Sequence, residues 1–473
     1  MARDNPAGTG ALSAARAVAR QAQAVHLSDL SVAVRDKLKI CLLDFLSCAF
    51  EARDLPWSRQ AISIAPRTSS GATIIATGFL APAGDAAFAN ATLGHGLVRE
   101  DMHAGSIGHH GVVIWPALLA LAQREQVSGA RLLTAAAIGY EVGGRLGRAL
   151  FNADLARLYR PTGVIGPIAG AVAGSCLLGL GEDETVSALA LGANSSSGLN
   201  QWPHEGSSDM YFHPGFAARG AVIAVDLARA GAYGSEQILE GEAGLFAAFR
   251  RGAAPATIAL FPNGEAEILA VYNKPVPACN FAQTACQAAL RVAQEIDGVD
   301  AIRSVCVHLP EAAIRYPGCD FAGPFERALQ AKMSIQYGVA AALVRKVVEE
   351  ENYRRLDDFQ VLRLTALMKL ERDAAFTAAF PRAQGAEVVV KLAGGATISR
   401  RIPDVIAATE GEIRQRFRAA ATEVLGADQT DAIEEVVDHL EEADDAGRIA
   451  ALCAPRAPET ARYAGMRAAK GGA

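Results

Sequence analysis

A helix bundle is indicated by the stretch Pro161-Thr162-Gly163-Val164-Ile165-Gly166-Pro167-Ile168-Ala169-Gly170-Ala171-Val172-Ala173-Gly174. Its glycines recur every three or four residues, which places them on one face of a helix. Small side chains on such a face allow a second helix to approach closely. The stretch also contains Pro167 and is mostly glycine and alanine over residues 163–181, so we predict a tightly packed interior helix rather than a membrane span.

Helical patterns extend from this stretch in both directions along the chain. Apolar residues at helical spacing, as in Val34, Leu38, Leu42 and Phe45, predict an amphipathic or buried helix. The other helices predicted on this side of the chain cover residues 11–25, 31–50, 82–97, 112–123, 131–150, 183–194 and 215–229. Residues 407–451 are predicted to be helical again, with their acidic side chains on a solvated face.

The pattern changes after Phe261. Residues 302–309 alternate as in a half-buried strand, and two β-prone runs, 387–392 and 396–402, are joined at Gly394-Gly395, which predicts a hairpin. Helices are expected near 281–295, 334–350 and 357–370. We therefore predict a mainly α protein. A large helical domain built from both chain ends covers residues 1–265 and 405–473, and a smaller inserted α+β domain, here named the lid domain, covers 266–404.

Composition excludes several function classes. The chain has 473 residues and a formal charge of 45 − 51 = −6, without a clustered basic face, which disfavours nucleic-acid binding. No signal peptide is expected from Met1–Pro6, and no membrane association is predicted. Eight cysteines without a C-x-x-C pair argue against a zinc ribbon and favour the reducing cytoplasm. Nucleotide-binding glycine motifs are not found, so no organic cofactor is expected.

Four of the nine histidines fall between His95 and His110, where the helix predicted to end near Leu97 is followed by a glycine-rich loop that contains Glu100, Asp101 and three of these histidines. Clustered imidazoles and carboxylates suit general acid–base chemistry, because their pKa values can be brought near neutrality. The same residue types bind zinc or iron, and a polar loop with hydrogen-bonded histidines is a third possibility.

A second candidate segment is Asn273-Lys274-Pro275-Val276-Pro277-Ala278-Cys279. Lysine is scarce in this chain, so Lys274 between Asn and Pro is a candidate for holding a substrate carboxylate or shifting a neighbouring pKa. A surface lysine is the alternative. Cys279 is a weak nucleophile candidate, and a buried inert thiol is the simpler interpretation.

Taken together, these segments resemble the MmgE/PrpD family. The resemblance runs in register from about residue 12 to beyond 400, and no single motif carries it. The segments that carry it are Leu42–Leu46, the 90–110 loop with the helix after it, Gly139–Val142, Gly147-Arg148, Pro161–Gly163, Ala217–Gly220, Lys274–Cys279 and Ser334–Tyr337. The resemblance implies a homodimer with its site between the helical domain and the lid. It also implies catalysis without metal or organic cofactor on small polycarboxylates, by loss of a proton next to a carboxylate.

Several positions depart from the family pattern. Val98 stands where an acid is usual, Met102 where the family has Thr or Ser, Arg160 where many members have His, and Met210 where lysine is common. Each exchange at Val98, Met102 and Met210 removes a polar partner and adds apolar surface. We therefore expect a substrate with fewer carboxylates and a larger apolar part than 2-methylcitrate, unless Arg160, His103 and His110 supply polar groups from new directions.

The resemblance, with these departures, implies the following roles. His109 is the expected general base or acid, and Asp101 or His103 orients it or exchanges protons. Lys274 and Arg160 hold carboxylate oxygens, and Tyr316 is a proton donor. The remaining expected substrate-binding residues are Glu100, His110, His213 and Met102, and no metal ligand is expected. The predicted function is a cofactor-independent lyase, dehydratase-like, with an epimerase or isomerase and a catalytically lapsed binder as alternatives.

Overall fold

A computed structural model of the chain describes residues 12–250, 252–255 and 257–456. Three predictions fall partly or wholly outside this range: the helix start at Ala11, the interpretation of Met1–Pro6, and the outer ends of the helical domain. Helices α1–α12 precede the lid and are Ala14–Gln23, Val32–Glu51, Pro56–Ile64, Ala83–His95, Gly111–Glu125, Gly129–Leu150, Ala153–Leu158, Pro161–Leu178, Glu182–Ala193, Trp202–Glu205, Asp209–Arg229 and Leu245–Arg250.

The later helices and the strands complete the described chain. Helices α13–α21 are Gln283–Ala293, Glu311–Arg315, Ala328–Met333, Ile335–Arg345, Phe359–Ala366, Ala374–Ala379, Glu410–Leu425, Ala427–Asp438 and Gly447–Leu452. Strands β1–β8 are Ala72–Thr73, Leu80–Ala81, Met102–His103, Val271–Tyr272, Ile302–Leu309, Met368–Arg372, Ala386–Leu392 and Thr397–Ile402. With 59% helix and 9% strand, the mainly α prediction is confirmed.

Helix α8 lies at the centre of the helical domain and packs against α11, α6, α9 and α5. A Cβ added at Gly170 would lie 2.7 Å from the Cβ of Ala221 on α11, so glycine is required for this close approach. By length and composition α8 could cross a membrane, yet 89% of it is buried inside the protein. The predicted interior helix is confirmed.

The C-terminal helices return to the N-terminal ones. Helix α19 packs along α2, with the rings of Phe417 and Phe50 6.3 Å apart, and α21 packs on α5. Buried residues of α19 and α20, including Ile413 and Ile433, share one apolar core with α2, α4 and α5. The residue ranges given above for the two domains remain a prediction.

The lid contains a four-stranded sheet in the order β6-β5-β7-β8. One face buries Val305, Val307, Val388 and Val390 against α13 and α16. The other face carries partly exposed polar side chains. Strand β5 and the β7–β8 hairpin agree with the sequence prediction.

Three local predictions differ from the structure. The helix predicted over 357–370 ends at Ala366, because Met368–Arg372 pairs in parallel with β5, a partner distant in sequence. The helix predicted over 334–350 ends at Arg345. The helix predicted from Gly215 begins at Asp209 and continues through Pro214. That proline cannot donate to the carbonyl of Met210, which accepts a hydrogen bond from another part of the chain.

Candidate active site

One loop, residues 96–110, carries most of the candidate groups and connects α4 to α5. Strand β3 in this loop pairs antiparallel with β4, which immediately precedes Asn273 and Lys274. The backbone N–H of His109 donates to Oγ1 of Thr162 (3.0 Å) in the first turn of α8. The loop is therefore fixed between the central helix and the Lys274 segment.

The carboxylate of Glu100 joins two imidazoles. Its Oε1 accepts a hydrogen bond from Nδ1 of His95 (2.6 Å) and lies 3.0 Å from Nδ1 of His109. Burial alone would raise the pKa of Glu100, but His95, His109 and Lys274 lower it below its ordinary value. The carboxylate is therefore ionised at neutral pH, where it is hydrogen-bonded to His95 and lies within ion-pair distance of His109.

His109 is a neutral base. Its Nδ1 donates to the backbone oxygen of Asp101 (3.0 Å), which can only accept, so Nε2 keeps its lone pair. Burial lowers the pKa of His109 well below its ordinary value, by more than Glu100 raises it. His109 also lines a cavity, the catalytic cavity, together with Arg160, Lys274 and Tyr316, so the site presents an unprotonated imidazole to a ligand.

Arg160, His95 and Glu100 are linked by consecutive hydrogen bonds. Nη2 of Arg160 donates to Nε2 of His95 (2.6 Å), so Nδ1 of His95 carries the proton that Glu100 accepts. Burial lowers the pKa of His95 to about 4, so the ring is neutral at physiological pH. Nη1 of Arg160 donates to the backbone oxygen of Met210 (3.4 Å), the carbonyl left open by Pro214. The guanidinium is thereby fixed at the cavity wall.

His95 is a functional candidate that the sequence analysis did not select. It is fully buried, and its ring lies 5.6 Å from that of His109. The clustering of histidines between 95 and 110 is the signal that could have identified it. Its position at the end of α4 concealed it, because a histidine in a buried helix is indistinguishable from a core residue by spacing.

Lys274 is a fully buried cation that lines the cavity together with His109 and Arg160. Within the described ranges its Nζ has no hydrogen-bond partner. Burial lowers the pKa of Lys274, and Glu100 partly offsets this. A buried ammonium without a partner is costly, so this group is suited to bind an anionic ligand.

The rest of the cavity is mostly apolar. Val98, Met102 and Met210, the three positions that depart from the family pattern toward apolar residues, all line it. Tyr316 also lines the cavity, and its hydroxyl oxygen accepts a hydrogen bond from Nδ2 of Asn200 (3.2 Å). Burial raises the pKa of Tyr316 to about 12, so the hydroxyl stays protonated and can donate.

Cys279 lines the same cavity. Its Sγ lies 3.5 Å from Sγ of Cys319, and both side chains are buried. The thiol is buried, as the simpler interpretation expects, but the hydrogen bond with Cys319 lowers the pKa of Cys279 below its ordinary value, so its inertness stays a prediction.

Two predicted histidines belong to a separate hydrogen-bonded network. His103 contacts Glu267 through Nε2 (2.5 Å) and Ser106 through Nδ1 (2.8 Å). The hydroxyl of Ser106 lies 2.8 Å from Nε2 of His110. Both rings are thus engaged by protein groups, and neither His103 nor His110 is among the described residues that line the cavity.

The side chains of Asp101, His213 and Glu100, which was predicted to bind substrate, also lie outside the cavity lining. The Asp101 carboxylate accepts hydrogen bonds from the hydroxyl of Tyr140 and the N–H of Gly111, and burial raises the pKa of Asp101 to about 7. Asp101 therefore orients His109 through its backbone oxygen. Burial lowers the pKa of His213 to about 3.

A metal could be held at a different place. In the described part of the chain, Cys306, His308 and Glu371 bring one ligand atom each within 4.8 Å of one another. These three residues lie on β5 and β6, on the partly exposed face of the lid sheet. Within the described residues, the histidines of the 96–110 loop do not form a group of three possible metal ligands.

Comparisons with known proteins agree with this architecture. The MmgE/PrpD N-terminal domain matches residues 16–257, and the MmgE/PrpD C-terminal domain matches residues 276–442. The chain is 28% identical to the cis-aconitate decarboxylase-like protein oryM of Aspergillus oryzae over 461 residues, 90% of this chain and 94% of that relative. It is 27% identical to cis-aconitate decarboxylase of Mus musculus over 386 residues, 78% of each chain. It is 28% identical to cis-aconitate decarboxylase of Aspergillus terreus over 227 residues, 46% of each.

Proposed function

Because the chain belongs to the MmgE/PrpD family, we propose that it is a lyase that removes a proton next to the carboxylate of a small organic acid. One observation carries the proposal: the buried Lys274 ammonium, which has no hydrogen-bond partner among the residues that the structure describes, lines the same cavity as the neutral His109 imidazole. A carboxylate bound by a cation next to a neutral base is the arrangement that proton abstraction requires.

The proposed reaction begins with binding. Lys274 and Arg160 hold the carboxylate oxygens of the substrate, and negative charge grows on that carboxylate as the neighbouring C–H bond breaks. His109 takes the proton on Nε2, while Glu100 stabilises the imidazolium that forms. Glu100 and His95 are positioning residues, because they act through His109 and Arg160.

Loss of the second group completes the reaction. In a dehydration the electron pair of the C–H bond forms a C=C bond, the C–O bond breaks, and the hydroxyl leaves as water after it takes a proton. Tyr316 is the proposed donor, since its oxygen accepts from Asn200 and its own proton is available to the cavity. The proton on His109 then returns through solvent to Tyr316. We favour dehydration over decarboxylation, as the sequence analysis predicted.

A mass-spectrometric screen of di- and tricarboxylic acids and of bulkier or aromatic acids tests the proposal. A new product lighter by one water supports a dehydratase, and one lighter by CO₂ supports a decarboxylase. Tight binding without turnover of any acid would instead support a catalytically lapsed binder.

Elemental analysis with chelator treatment accompanies the screen. Activity that is lost to a chelator and restored by one metal would overturn the proposal of a cofactor-independent enzyme.

An epimerase or isomerase is the second candidate, because His109 and Lys274 line one cavity and could act as two acid–base groups. Reaction in D₂O separates the two: deuterium in recovered, inverted substrate without an alkene product indicates epimerisation.

The proposal also includes a homodimer in the cytoplasm. Light scattering would test the oligomeric state, and cell fractionation would test the location.

A further inference from the structure

A second cavity adjoins the catalytic one. It has a volume of about 240 Å³ and lies between α7 of the helical domain and α14 and α18 of the lid. The two cavities share Ile107, Phe281 and Tyr316 in their walls. These three residues form the boundary between the place where a proton would be removed and the neighbouring space.

The catalytic cavity is too small for a large acid. Its volume is about 50 Å³, whereas an engineered apolar cavity that holds benzene has about 150 Å³. A carboxylate and the atoms next to it fill the space around His109 and Lys274. Any larger part of the substrate must lie elsewhere, and the second cavity exceeds the benzene-binding size.

The second cavity is built for an apolar group. Its inner wall is formed by Ala156, Pro310, Ala312 and Phe380, with Phe281 at the boundary. The ring of Phe281 lies 5.5 Å from that of Tyr316 and 5.7 Å from that of Phe380, so aromatic surface continues from one cavity into the other. Four charged side chains also line it, Asp154, Arg157, Glu311 and Arg315, and all of them except Glu311 are exposed to solvent.

We propose that this second cavity, the tail subsite, binds an apolar tail on the substrate, of phenyl size or larger, while Lys274 and Arg160 hold its carboxylate. The substrate class is thus a carboxylic acid with an alkyl or aryl substituent. This inference rests on the proposed function, since it assumes that the reacting end occupies the catalytic cavity. It also agrees with the apolar side chains of Val98, Met102 and Met210 next to that end.

Affinity measurements test the tail subsite without depending on turnover. We would measure Kd by calorimetry for straight-chain carboxylic acids of increasing length and for phenyl-substituted acids. The expected result is a fall in Kd of about fourfold for each added methylene until the subsite is filled.

The Ala312→Leu variant, which adds bulk inside the tail subsite from α14, should weaken binding of long-tailed acids at least tenfold more than binding of short ones. Ala130→Leu is the matched control, because Ala130 is also a partly exposed helical alanine that lines an unrelated cavity. It should leave the length dependence unchanged.

Three outcomes would overturn the tail subsite: a Kd independent of tail length, identical behaviour of Ala312→Leu and Ala130→Leu, or no binding by any acid of the series. Failure of the proposed function is a separate result. Acids that bind with the expected length dependence, yet show neither turnover nor deuterium exchange, support the tail subsite and contradict the lyase. Turnover of short acids without any dependence of Kd on tail length supports the lyase and contradicts the tail subsite.

Discussion

His109 places its Nδ1 3.0 Å from Oε1 of Glu100. This contact orients the base and raises its pKa against the larger lowering effect of burial. Both effects come from one carboxylate, so a substitution at Glu100 that keeps its shape tests them together.

The Glu100→Gln substitution removes the charge and keeps the shape. We expect kcat to fall about 10- to 100-fold, by analogy with the outer-shell groups that orient metal ligands. Because Glu100 raises the pKa of His109, the neutral variant should have a still lower His109 pKa. His109 acts unprotonated, so kcat/KM falls as the pH drops through that pKa. The acidic limb of the pH profile, below about 6.5 in the wild type, should move to lower pH. An unmoved limb would contradict this role.

The His109→Ala substitution removes the proposed base. Loss of a positioned acid–base group costs roughly 10²- to 10⁴-fold in rate, and we expect that loss in kcat together with loss of deuterium exchange into substrate. His439→Ala, at the exposed C-terminal end of α20, is the control and should retain activity. Near-wild-type turnover by His109→Ala would show that another group is the base.

Lys274 and Lys332 are both fully buried, but only Lys332 has partners among the described residues. Replacing each lysine should therefore change the free energy of unfolding in different ways. Lys332 contacts Glu350 (2.5 Å) and donates to the backbone oxygen of Leu97 (2.8 Å), whereas Nζ of Lys274 has no partner among the described residues. Lys332→Met leaves a buried carboxylate uncompensated and should cost about 3–5 kcal/mol of the free energy of unfolding.

Lys274→Met removes an unpartnered buried charge, so the free energy of unfolding should stay equal or rise by about 1–3 kcal/mol while activity is lost. Denaturant unfolding and activity assays of the two variants check both expectations. Similar destabilisation by both substitutions would mean that Lys274 has a structural role.

The alkaline limb of the pH profile reports on Lys274. Burial lowers the pKa of Lys274 below its ordinary value of 10.5, and a neutral amine cannot hold a carboxylate as a cation does. We therefore expect kcat/KM to fall as the pH rises, at a pH below 10.5. Lys274→Arg keeps its charge throughout this range. Any activity it retains should lack the alkaline limb, and persistence of the limb would assign it to another group.

Substrate preference should follow the apolar lining. Val98, Met102 and Met210 offer little to the extra oxygens of a tricarboxylate, and each unsatisfied polar group costs about 1–3 kcal/mol. We expect kcat/KM to be higher for a monocarboxylate with a hydrophobic tail than for 2-methylcitrate or cis-aconitate. A value near 10⁵ M⁻¹s⁻¹ for either tricarboxylate, well inside the usual enzyme range, would contradict this expectation.

Much of the fold could be predicted from local patterns. The glycine spacing in α8 and the Gly394-Gly395 turn between β7 and β8 depend on nearby residues, and the structure agrees with both. Strand β6 could not be predicted, because Met368–Arg372 becomes a strand only by pairing with β5. The early start of α11 was concealed by Pro214, whose missing hydrogen bond is replaced by one from Arg160.

The sequence by itself determined the mainly α fold, the family, and the loop and lysine segment in which the candidate groups lie. Only the tertiary structure decided which groups share the cavity. His109 and His110 are adjacent in sequence, yet one lines the cavity and the other contacts Ser106. Their roles differ because distant segments meet the two rings differently: Lys274 and Arg160 line the cavity together with His109, whereas His110 lies in the network of Ser106, His103 and Glu267. Spacing along a chain carries no information about such partners.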